Sequence, residues 1–339
     1  MPLISSTSAL GDKPRVILGL MTFGPPGTES KGARITGLDD FNKNLDFFQQ
    51  SGYSEVDTAR VYISGEQEAL TRQARWQERG LALATKCFPL APGDHKPEKL
   101  KATLNHSLAE LGAKSVDIFY LHAPDRSVPF AETLEACNDL FKEGKFVQLG
   151  LSNYAAWEVA EIWNIANERG WVKPTIYQGM YNAITRDLEN ELVPCCRKYS
   201  IDIVVYNPLA GGLFSGKYKN KDVPNEGRFG TTSSETGNRY RERYFRDSLF
   251  DALKSIEPVT QKYNLTLIET ALRWIVHHSV LKVFAKDGGH DGIIIGVSSL
   301  EQLEANLADL EKGPLPDEVV QILDQAWDRI KYQGPPYWR

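Results

Sequence analysis

Short apolar runs recur along the chain from Arg15 onward, and each is followed by a polar turn and then by an amphipathic stretch. Runs of this length and composition are typical of strands that are buried on both faces of a parallel sheet. The pattern predicts eight such strands, at residues 16–23, 54–56, 81–86, 117–122, 146–152, 175–181, 203–206 and 293–297.

The segments between these runs have the periodicity of helices. One segment repeats leucine at intervals of three and four, which places Leu100, Leu104, Leu108 and Leu111 on a single helical face. Several stretches end in a glycine, the residue that most readily adopts the left-handed conformation following a helix; these are Gly52, Gly80, Gly112, Gly144 and Gly170. We therefore expect a helix after most of the strands.

Eight strand–helix units predict an α/β fold of the closed (β/α)8, or TIM, barrel class. The alternative is an open doubly wound sheet, which usually carries a G-x-G-x-x-G motif after its first strand, and the chain lacks that motif. A chain of 339 residues fits either two average domains or one barrel with insertions. No linker divides it, so we expect a single barrel domain over residues 15–339.

Three segments lie outside the eight units. They are an N-terminal tail over residues 1–14, a long loop after the seventh strand at about residues 215–247, and a C-terminal helix at 316–330 whose tail ends at Arg339. The loop is rich in Gly, Asn, Thr and Arg. Loops this long in a compact domain are usually functional and often serve as lids.

Composition excludes several classes of partner. The net charge of −5 and the lack of a basic cluster argue against a nucleic-acid partner. No apolar run is long enough to span a bilayer, and the N-terminus has no secretory pattern, so we expect a cytoplasmic protein with no membrane partner. The four cysteines (Cys87, Cys137, Cys195 and Cys196) form no C-x-x-C, and no histidine stands at zinc-ligand spacing from them, so we expect no disulfide framework and no metal.

Four residues with complementary chemistry fall at the ends of three neighbouring strands, where barrel enzymes place their reactive groups. The second strand ends at Asp57 and its loop carries Tyr62, the third ends at Lys86, and the fourth ends at His122. Each has an ordinary alternative: a turn cap for the aspartate, a solvated lysine, or a core histidine. Their occurrence together on one rim favours a catalytic site.

These four side chains predict a proton donor for a carbonyl oxygen. Tyrosine has a pKa near 10, and a neighbouring Lys86 ammonium is expected to lower the pKa of Tyr62. Asp57 is expected to hold that ammonium by a charge-assisted hydrogen bond, while His122 orients the carbonyl oxygen. The sequence shows no nucleophile to accompany them, and it assigns no role to Arg60.

The four residues resemble the catalytic tetrad of the aldo-keto reductases. The resemblance covers nearly the whole chain and includes, in order, Leu149-Gly150-Leu151-Ser152-Asn153-Tyr154, Tyr177-Gln178, Tyr206-Asn207-Pro208-Leu209-Ala210-Gly211-Gly212-Leu213 and Gly296-Val297-Ser298-Ser299-Leu300-Glu301-Gln302. The last two segments, with Gly216-Lys217-Tyr218, Gly227-Arg228-Phe229 and Tyr337-Trp338-Arg339, resemble the branch of aflatoxin-aldehyde and succinic semialdehyde reductases.

This resemblance implies the missing reactant, a hydride from NADPH that is bound across the strand ends and leaves as NADP+. By the family pattern, Ser152, Asn153 and Gln178 hold the carboxamide together with Asp57, and Tyr206 stacks on the nicotinamide. The pyrophosphate is expected against Asn207, Pro208, Leu209, Ala210, Gly211, Gly212, Leu213, Ser215, Gly216 and Lys217, with Arg228 closing over it.

The adenosine end is expected at Gly296, Ser298, Ser299, Gln302 and Asn306 by the same resemblance. The two serines have an alternative role as simple helix N-caps. Many members of the family carry an arginine at the position of Gln302 and a lysine near Gly296. Their absence here leaves the preference for NADP over NAD open.

On the substrate side, the resemblance places Tyr240, Arg243 and Arg339 beside His122. The two arginines suit a carboxylate, so the expected reaction is reduction of carboxylate-bearing aldehydes, dicarbonyls or aflatoxin dialdehyde-like substrates to alcohols, with succinic semialdehyde as an example. Alternatively, Arg243 lies on a solvated charged face. The rival functions are an aryl-alcohol or pyridoxal-type reductase and a nucleotide-sensing regulatory subunit like the potassium-channel β-subunits. The branch also suggests a homodimer.

Overall fold

A computed structural model describes residues 11–225, 227–231 and 234–339 of the chain. Residues 1–10 of the expected tail, and residues 226, 232 and 233 of the expected long loop, lie outside the described residues. Eight parallel strands close into a barrel, which confirms the fold class. The strands are β1 (Val16–Gly19), β2 (Glu55–Asp57), β3 (Ala82–Cys87), β4 (Val116–Leu121), β5 (Phe146–Ser152), β6 (Pro174–Met180), β7 (Asp202–Tyr206) and β8 (Gly292–Gly296).

Helices surround the barrel and cover its strands. They are α1 (Leu38–Gln50), α2 (Gln67–Gln73), α3 (Pro97–Leu111), α4 (Phe130–Lys142), α5 (Ala156–Glu168), α6 (Leu192–Lys198), α7 (Ser234–Tyr244), α8 (Asp247–Lys262), α9 (Leu267–His277), α10 (Leu300–Leu310) and α11 (Asp317–Ile330). None of the described helices is long and apolar enough to cross a membrane.

The segment at residues 215–247 is not simply a loop, because it contains α7. Although the segment is rich in arginine, asparagine and glycine, it also contains aromatic residues that lie on one face of the helix. Tyr240 and Tyr244 stand four residues apart on α7, and the rings of both lie near Phe229, with centroids at 6.3 and 6.4 Å. Aromatic packing across the segment thus supports a helix that its composition does not suggest.

The inside of the barrel is filled by side chains and differs from a purely apolar core. A compact cluster contains Ile17, Ala84, Ile118, Tyr120, Ile176, Val204 and Ile294. Tyr120 fits because β5 carries Gly150 beside it, and a Cβ atom at Gly150 would overlap Cδ1 of the ring. The hydroxyl-bearing ring therefore lies in the barrel beneath the strand ends.

The C-terminal tail returns to the rim where the strands end. Tyr337 is buried, and its hydroxyl accepts a hydrogen bond of 2.9 Å from the backbone N–H of Ala156 and donates one of 2.5 Å to Glu191. The N–H of Arg339 donates to the carbonyl of Asn153 at 3.0 Å. The last residues of the chain are thereby fixed against the loop that follows β5.

Candidate active site

The register of the barrel brings the expected catalytic residues to one rim. Asp57 pairs with Ala84, so Lys86 lies two residues further along its strand than the position opposite Asp57. Cys87 pairs with Leu121, which places His122 at the same end of the next strand. Since side chains two apart on a strand point to the same side, Tyr120 and His122 both face the barrel axis.

Lys86 occupies the centre of this arrangement. Its side chain is fully buried, and its ammonium donates to Asp57 Oδ1, to the carbonyl of Thr58 at 2.7 Å and to Tyr62 Oη at 3.4 Å. An ammonium has three N–H donors, and three oxygens receive them here. Burial lowers the pKa of Lys86, and the charge of Asp57 opposes this effect. The geometry fits a charged lysine held by an aspartate, as the sequence suggested.

The expected direction of the pKa shift at Tyr62 is wrong for this structure. Burial is the largest influence and raises the pKa of Tyr62 well above its ordinary value, and the charge of Asp57 raises it further. A phenolate would be poorly solvated there and would face a carboxylate. Tyr62 is therefore a protonated phenol at neutral pH, which is the form that can donate a proton.

His122 is held as a neutral imidazole. Burial and the nearby charges of Lys86 and Arg339 lower its pKa well below the usual value. Its Nδ1 has no hydrogen-bond partner among the described residues. A bare nitrogen is tolerated better there than an unpaired N–H donor, so the geometry favours the tautomer that carries its proton on Nε2. The ring meets Phe88 edge-on, with centroids 5.4 Å apart.

The residues expected to hold a carboxamide form a connected group. Gln178 donates to Asp57 Oδ2 at 2.9 Å, and Asn153 donates to Ser152 Oγ at 2.9 Å and to the carbonyl of His122 at 2.8 Å. The hydroxyl of Tyr206 donates to Asn153 Oδ1 at 2.7 Å. Asn153 therefore joins Ser152 and Tyr206, while Gln178, which pairs in register with Ser152 on the next strand, is held by Asp57.

The loop after β7 has an unusual backbone that suits an anion. Left-handed conformations occur at Asn207, Ala210, Gly211, Gly212 and Gly216. Such conformations turn neighbouring N–H groups outward into a concavity that binds phosphate groups. Of the other residues expected here, Pro208, Leu209, Leu213 and Ser215 belong to the same loop. Lys217 follows it, exposed and without an ion pair in the described part of the chain.

This loop is also connected to α7. The hydroxyl of Tyr240 lies 3.3 Å from Asn207 Oδ1, and Asn207 Nδ2 donates to the Tyr244 hydroxyl at 3.1 Å. Arg228 lies with its guanidinium 5.0 Å from the centre of the Tyr240 ring and with Nη1 3.9 Å from the sulfur of Met21. Arg228 therefore lies above the catalytic end of the site in this structure.

The residues expected near adenosine cap α10. Ser299 is the N-cap and accepts from the N–H of Gln302 at 3.3 Å, and Gln302 Oε1 accepts from both the N–H and the hydroxyl of Ser298 at 2.9 Å. Gly296 is exposed and Asn306 is buried. The capping role that the sequence left open for the serines is thus present at Ser299.

Three arginines surround the mouth of the site without a carboxylate partner. Arg243 is half-buried, and its guanidinium lies 6.0 Å from the centre of the Tyr240 ring. It does not lie on an open solvated face. The charge of Arg339 acts on His122, and Arg228 lies beside Tyr240. Within the described ranges, none of the three forms an ion pair with an aspartate or glutamate, so the mouth carries uncompensated positive charge.

Sequence reasoning missed several contributors to this site. Tyr120 and Phe88 were detectable, because the first lies two residues before His122 and the second two residues after Lys86. The carbonyl of Thr58 carries no signal in the sequence. Arg60 and its partner Glu68 were also missed, since their pairing depends on the path of the loop between them.

Comparisons of the sequence with known proteins point to the same family as the residues at this site. The model of the aldo/keto reductase family matches residues 15–328. The chain is 46% identical over 298 residues to an aldo-keto reductase of Pseudocercospora fijiensis, covering 87% of this chain and 99% of that protein. It is 42% identical to human aldo-keto reductase family 7 member A3, covering 96% and 98%, and 42% identical to mouse aflatoxin B1 aldehyde reductase member 2, covering 96% and 88%.

The chain therefore belongs to the aldo-keto reductase family and is an oxidoreductase. This confirms the family that its motifs resemble, and the matched relatives include the aflatoxin aldehyde reductases that the branch-specific segments indicated.

We expect the protonation states of Tyr62 and His122 to determine the pH dependence of carbonyl reduction. A raised pKa keeps Tyr62 protonated as the pH rises, and a lowered pKa keeps His122 neutral as the pH falls. We expect kcat for reduction to be nearly constant from about pH 6 to about pH 9. Steady-state rates with both substrates saturating measure this. A decline with a midpoint near neutrality would show that one of the two groups titrates there.

Proposed function

We propose that this protein reduces aldehydes to alcohols with NADPH, taking the proton from Tyr62, and that its preferred substrates carry a carboxylate or a second carbonyl. The observation that carries the proposal is the buried ammonium of Lys86, which joins Asp57 to the hydroxyl of Tyr62. This contact would hold the neutral phenol of Tyr62 in position beside the carbonyl oxygen of the substrate. We also propose a cytoplasmic homodimer with one barrel domain per chain; the dimer is what the resemblance to the family branch suggests.

The described residues fit the cofactor. NADPH supplies a hydride to the carbonyl carbon when it is bound. The Asn207–Gly216 backbone suits its pyrophosphate, and Lys217 offers an unpaired charge nearby. Ser152, Asn153 and Gln178 lie together where a carboxamide would be recognised, and Tyr206 is held there by Asn153. The preference for NADPH over NADH rests on the family, because Gln302 is occupied in capping α10.

The protein's own residues orient and protonate the substrate. His122, with its proton on Nε2, donates to the carbonyl oxygen and polarises the bond. Tyr62 then gives its proton to the same oxygen as negative charge develops on it. The resulting phenolate lies next to the Lys86 ammonium, whose contact of 3.4 Å can shorten once that charge has formed. Lys86 thus stabilises the product form of Tyr62 and leaves its resting form protonated.

Charge at the mouth supports an anionic substrate. Arg228, Arg243 and Arg339 approach the site from the segment before α7, from α7 and from the C-terminal tail, and no described carboxylate neutralises them. A guanidinium binds a carboxylate through two parallel hydrogen bonds. The relatives include aflatoxin B1 aldehyde reductases, and we propose that in aflatoxin aldehyde-like substrates a second carbonyl takes the place of the carboxylate.

The rival functions give different outcomes with a panel of aldehydes. A pyridoxal or aryl-alcohol reductase would turn over an aromatic aldehyde faster than succinic semialdehyde. A nucleotide-sensing subunit would bind NADPH and oxidise it at most slowly with any member of the panel. The uncompensated arginines favour the carboxylate-bearing aldehyde over both.

Removing the phenolic hydroxyl tests the chemical step. Because Tyr62 is the proton donor, Tyr62→Phe should lower kcat for succinic semialdehyde by at least about 100-fold and leave NADPH affinity within about twofold. Stopped-flow absorbance and protein fluorescence measure the two quantities. Tyr53→Phe is the control, since it removes another buried hydroxyl, which lies 3.1 Å from Glu311. Near-normal turnover by Tyr62→Phe would rule out the assignment.

Removing one guanidinium tests the substrate class. We expect Arg243→Met to raise KM for succinic semialdehyde about 10- to 100-fold, because a charged hydrogen-bond partner is lost, and to leave KM for the uncharged butanal nearly unchanged. Arg239→Met is the matched control, since Arg239 lies exposed on the same helix. An equal change in KM for both aldehydes would mean that Arg243 shapes the pocket without binding an anion.

A further inference from the structure

The loop that carries Tyr62 has a strained backbone. Ile63 and Ser64 adopt left-handed conformations with φ of 50° and 53°, and Gly65 follows with φ of 93°. Left-handed backbone is unfavourable for residues with a Cβ atom, and most of all for a β-branched one such as isoleucine. A loop of this shape persists only where its surroundings hold it in place.

Arg60 holds this loop closed. One nitrogen of its guanidinium, Nη2, donates to the carbonyl of Gly65, and the other, Nη1, donates to Glu68 Oε2 at 2.6 Å. The backbone N–H of Arg60 donates to the carbonyl of Lys86 at 3.2 Å. A Cβ atom at Gly65 would overlap Nη2, so glycine is required there for contact as well as for conformation.

Glu68 connects this loop to the strand that bears the lysine. It lies at the start of α2 and is fully buried, and its second oxygen accepts a hydrogen bond of 2.6 Å from the hydroxyl of Thr85. Thr85 immediately precedes Lys86 on β3, and its side chain points to the opposite side of the strand. Ser107 and His106 of α3 complete the polar surroundings of the carboxylate.

These contacts form one path between the two catalytic side chains. It runs from the loop of Tyr62, through the carbonyl of Gly65, to Arg60, Glu68 and Thr85, which immediately precedes Lys86. A buried, hydrogen-bonded ion pair of this kind fixes the relative position of the elements that it joins. The Tyr62 hydroxyl and the Lys86 ammonium, on the two elements joined in this way, lie 3.4 Å apart.

We propose that Arg60 and Glu68 are positioning residues for the reduction, and that their ion pair sets the distance between the Tyr62 hydroxyl and the Lys86 ammonium. The inference rests on the proposed function, in which Tyr62 is the proton donor. It assigns to the pair no contact with substrate or cofactor. Loss of the pair therefore affects proton transfer, and leaves the affinity for NADPH and for the aldehyde largely intact.

The test replaces each partner. Arg60→Met keeps roughly the length of the side chain and removes the guanidinium that donates to Gly65 and Glu68. Glu68→Gln keeps an acceptor for Thr85 and removes the negative charge. We expect each variant to lower kcat about 10- to 100-fold, with KM for the aldehyde and Kd for NADPH within about threefold of wild type. Because the pair acts as a unit, the double variant should be little worse than the poorer single variant.

A matched control separates positioning from general loss of structure. Arg197 pairs with the buried Asp291 in the same way, but it lies on α6 and its partner precedes β8, at the other end of the barrel. Arg197→Met should lower thermal stability with kcat per folded molecule unchanged. Glu68→Gln is the mildest of the changes, so it gives a result even if Arg60→Met yields little folded protein.

A readout without turnover completes the test. Tyrosinate absorbance is followed against pH in each background, with the matching Tyr62→Phe protein subtracted. The wild type should show no ionisation of Tyr62 below about pH 10, whereas Arg60→Met should show it near that value, since the freed phenol reaches water. If wild type reduces no aldehyde, the proposed function fails and this titration still decides the inference. The inference is overturned if Arg60→Met and Glu68→Gln keep normal kcat, or if the titration of Tyr62 does not move.

Discussion

The buried contact between Lys86 and Asp57 is the interaction on which the rest of the site depends. An ammonium taken out of water needs a charged partner and acceptors for all of its protons, and otherwise loses its charge. Asp57, the Thr58 carbonyl and the Tyr62 hydroxyl meet that need. Because Asp57 and Lys86 come from adjacent strands, the pairing of β2 with β3 brings the two charges together. Gln178, from a strand on the far side of the barrel, completes the set by donating to the second oxygen of Asp57.

The residues proposed for the chemical step and the residues proposed for substrate recognition lie on different parts of the fold. Of the four side chains proposed for catalysis, Asp57 and Lys86 stand on β2 and β3, His122 directly follows β4, and Tyr62 lies in the loop after β2. The cationic groups proposed to select the substrate lie on α7, on the segment before it and on the C-terminal tail, which vary more easily in length and sequence. Tyr240 and Tyr244 connect the two parts, since both lie by Asn207 of the loop proposed for the pyrophosphate. This division explains how one reaction can serve different aldehydes.

Much of this could be predicted from the sequence, because it depends on local rules. All eight strands follow from apolar runs, and the positions of Asp57, Lys86 and His122 follow from the rule that barrels place reactive groups at strand ends. The features that were predicted wrongly or missed depend on contacts between residues that are far apart in the sequence. The pKa of Tyr62 rises because burial outweighs the lysine, and burial cannot be read from residue spacing. The helix α7 forms against Phe229, and Arg60 takes its role from the path of a strained loop. Each of these needed the folded chain.

We propose above that a carbonyl is reduced at the rim formed by Tyr62, Lys86 and His122, with a hydride from bound NADPH. The most direct measurement uses NADPH that carries deuterium at both hydrogen positions of nicotinamide C4, with succinic semialdehyde as the second substrate and mass spectrometry of the product. We expect an alcohol that carries deuterium on the former carbonyl carbon, formed in step with the loss of NADPH. A protein that binds NADPH and yields no alcohol, or yields an unlabelled one, would contradict it.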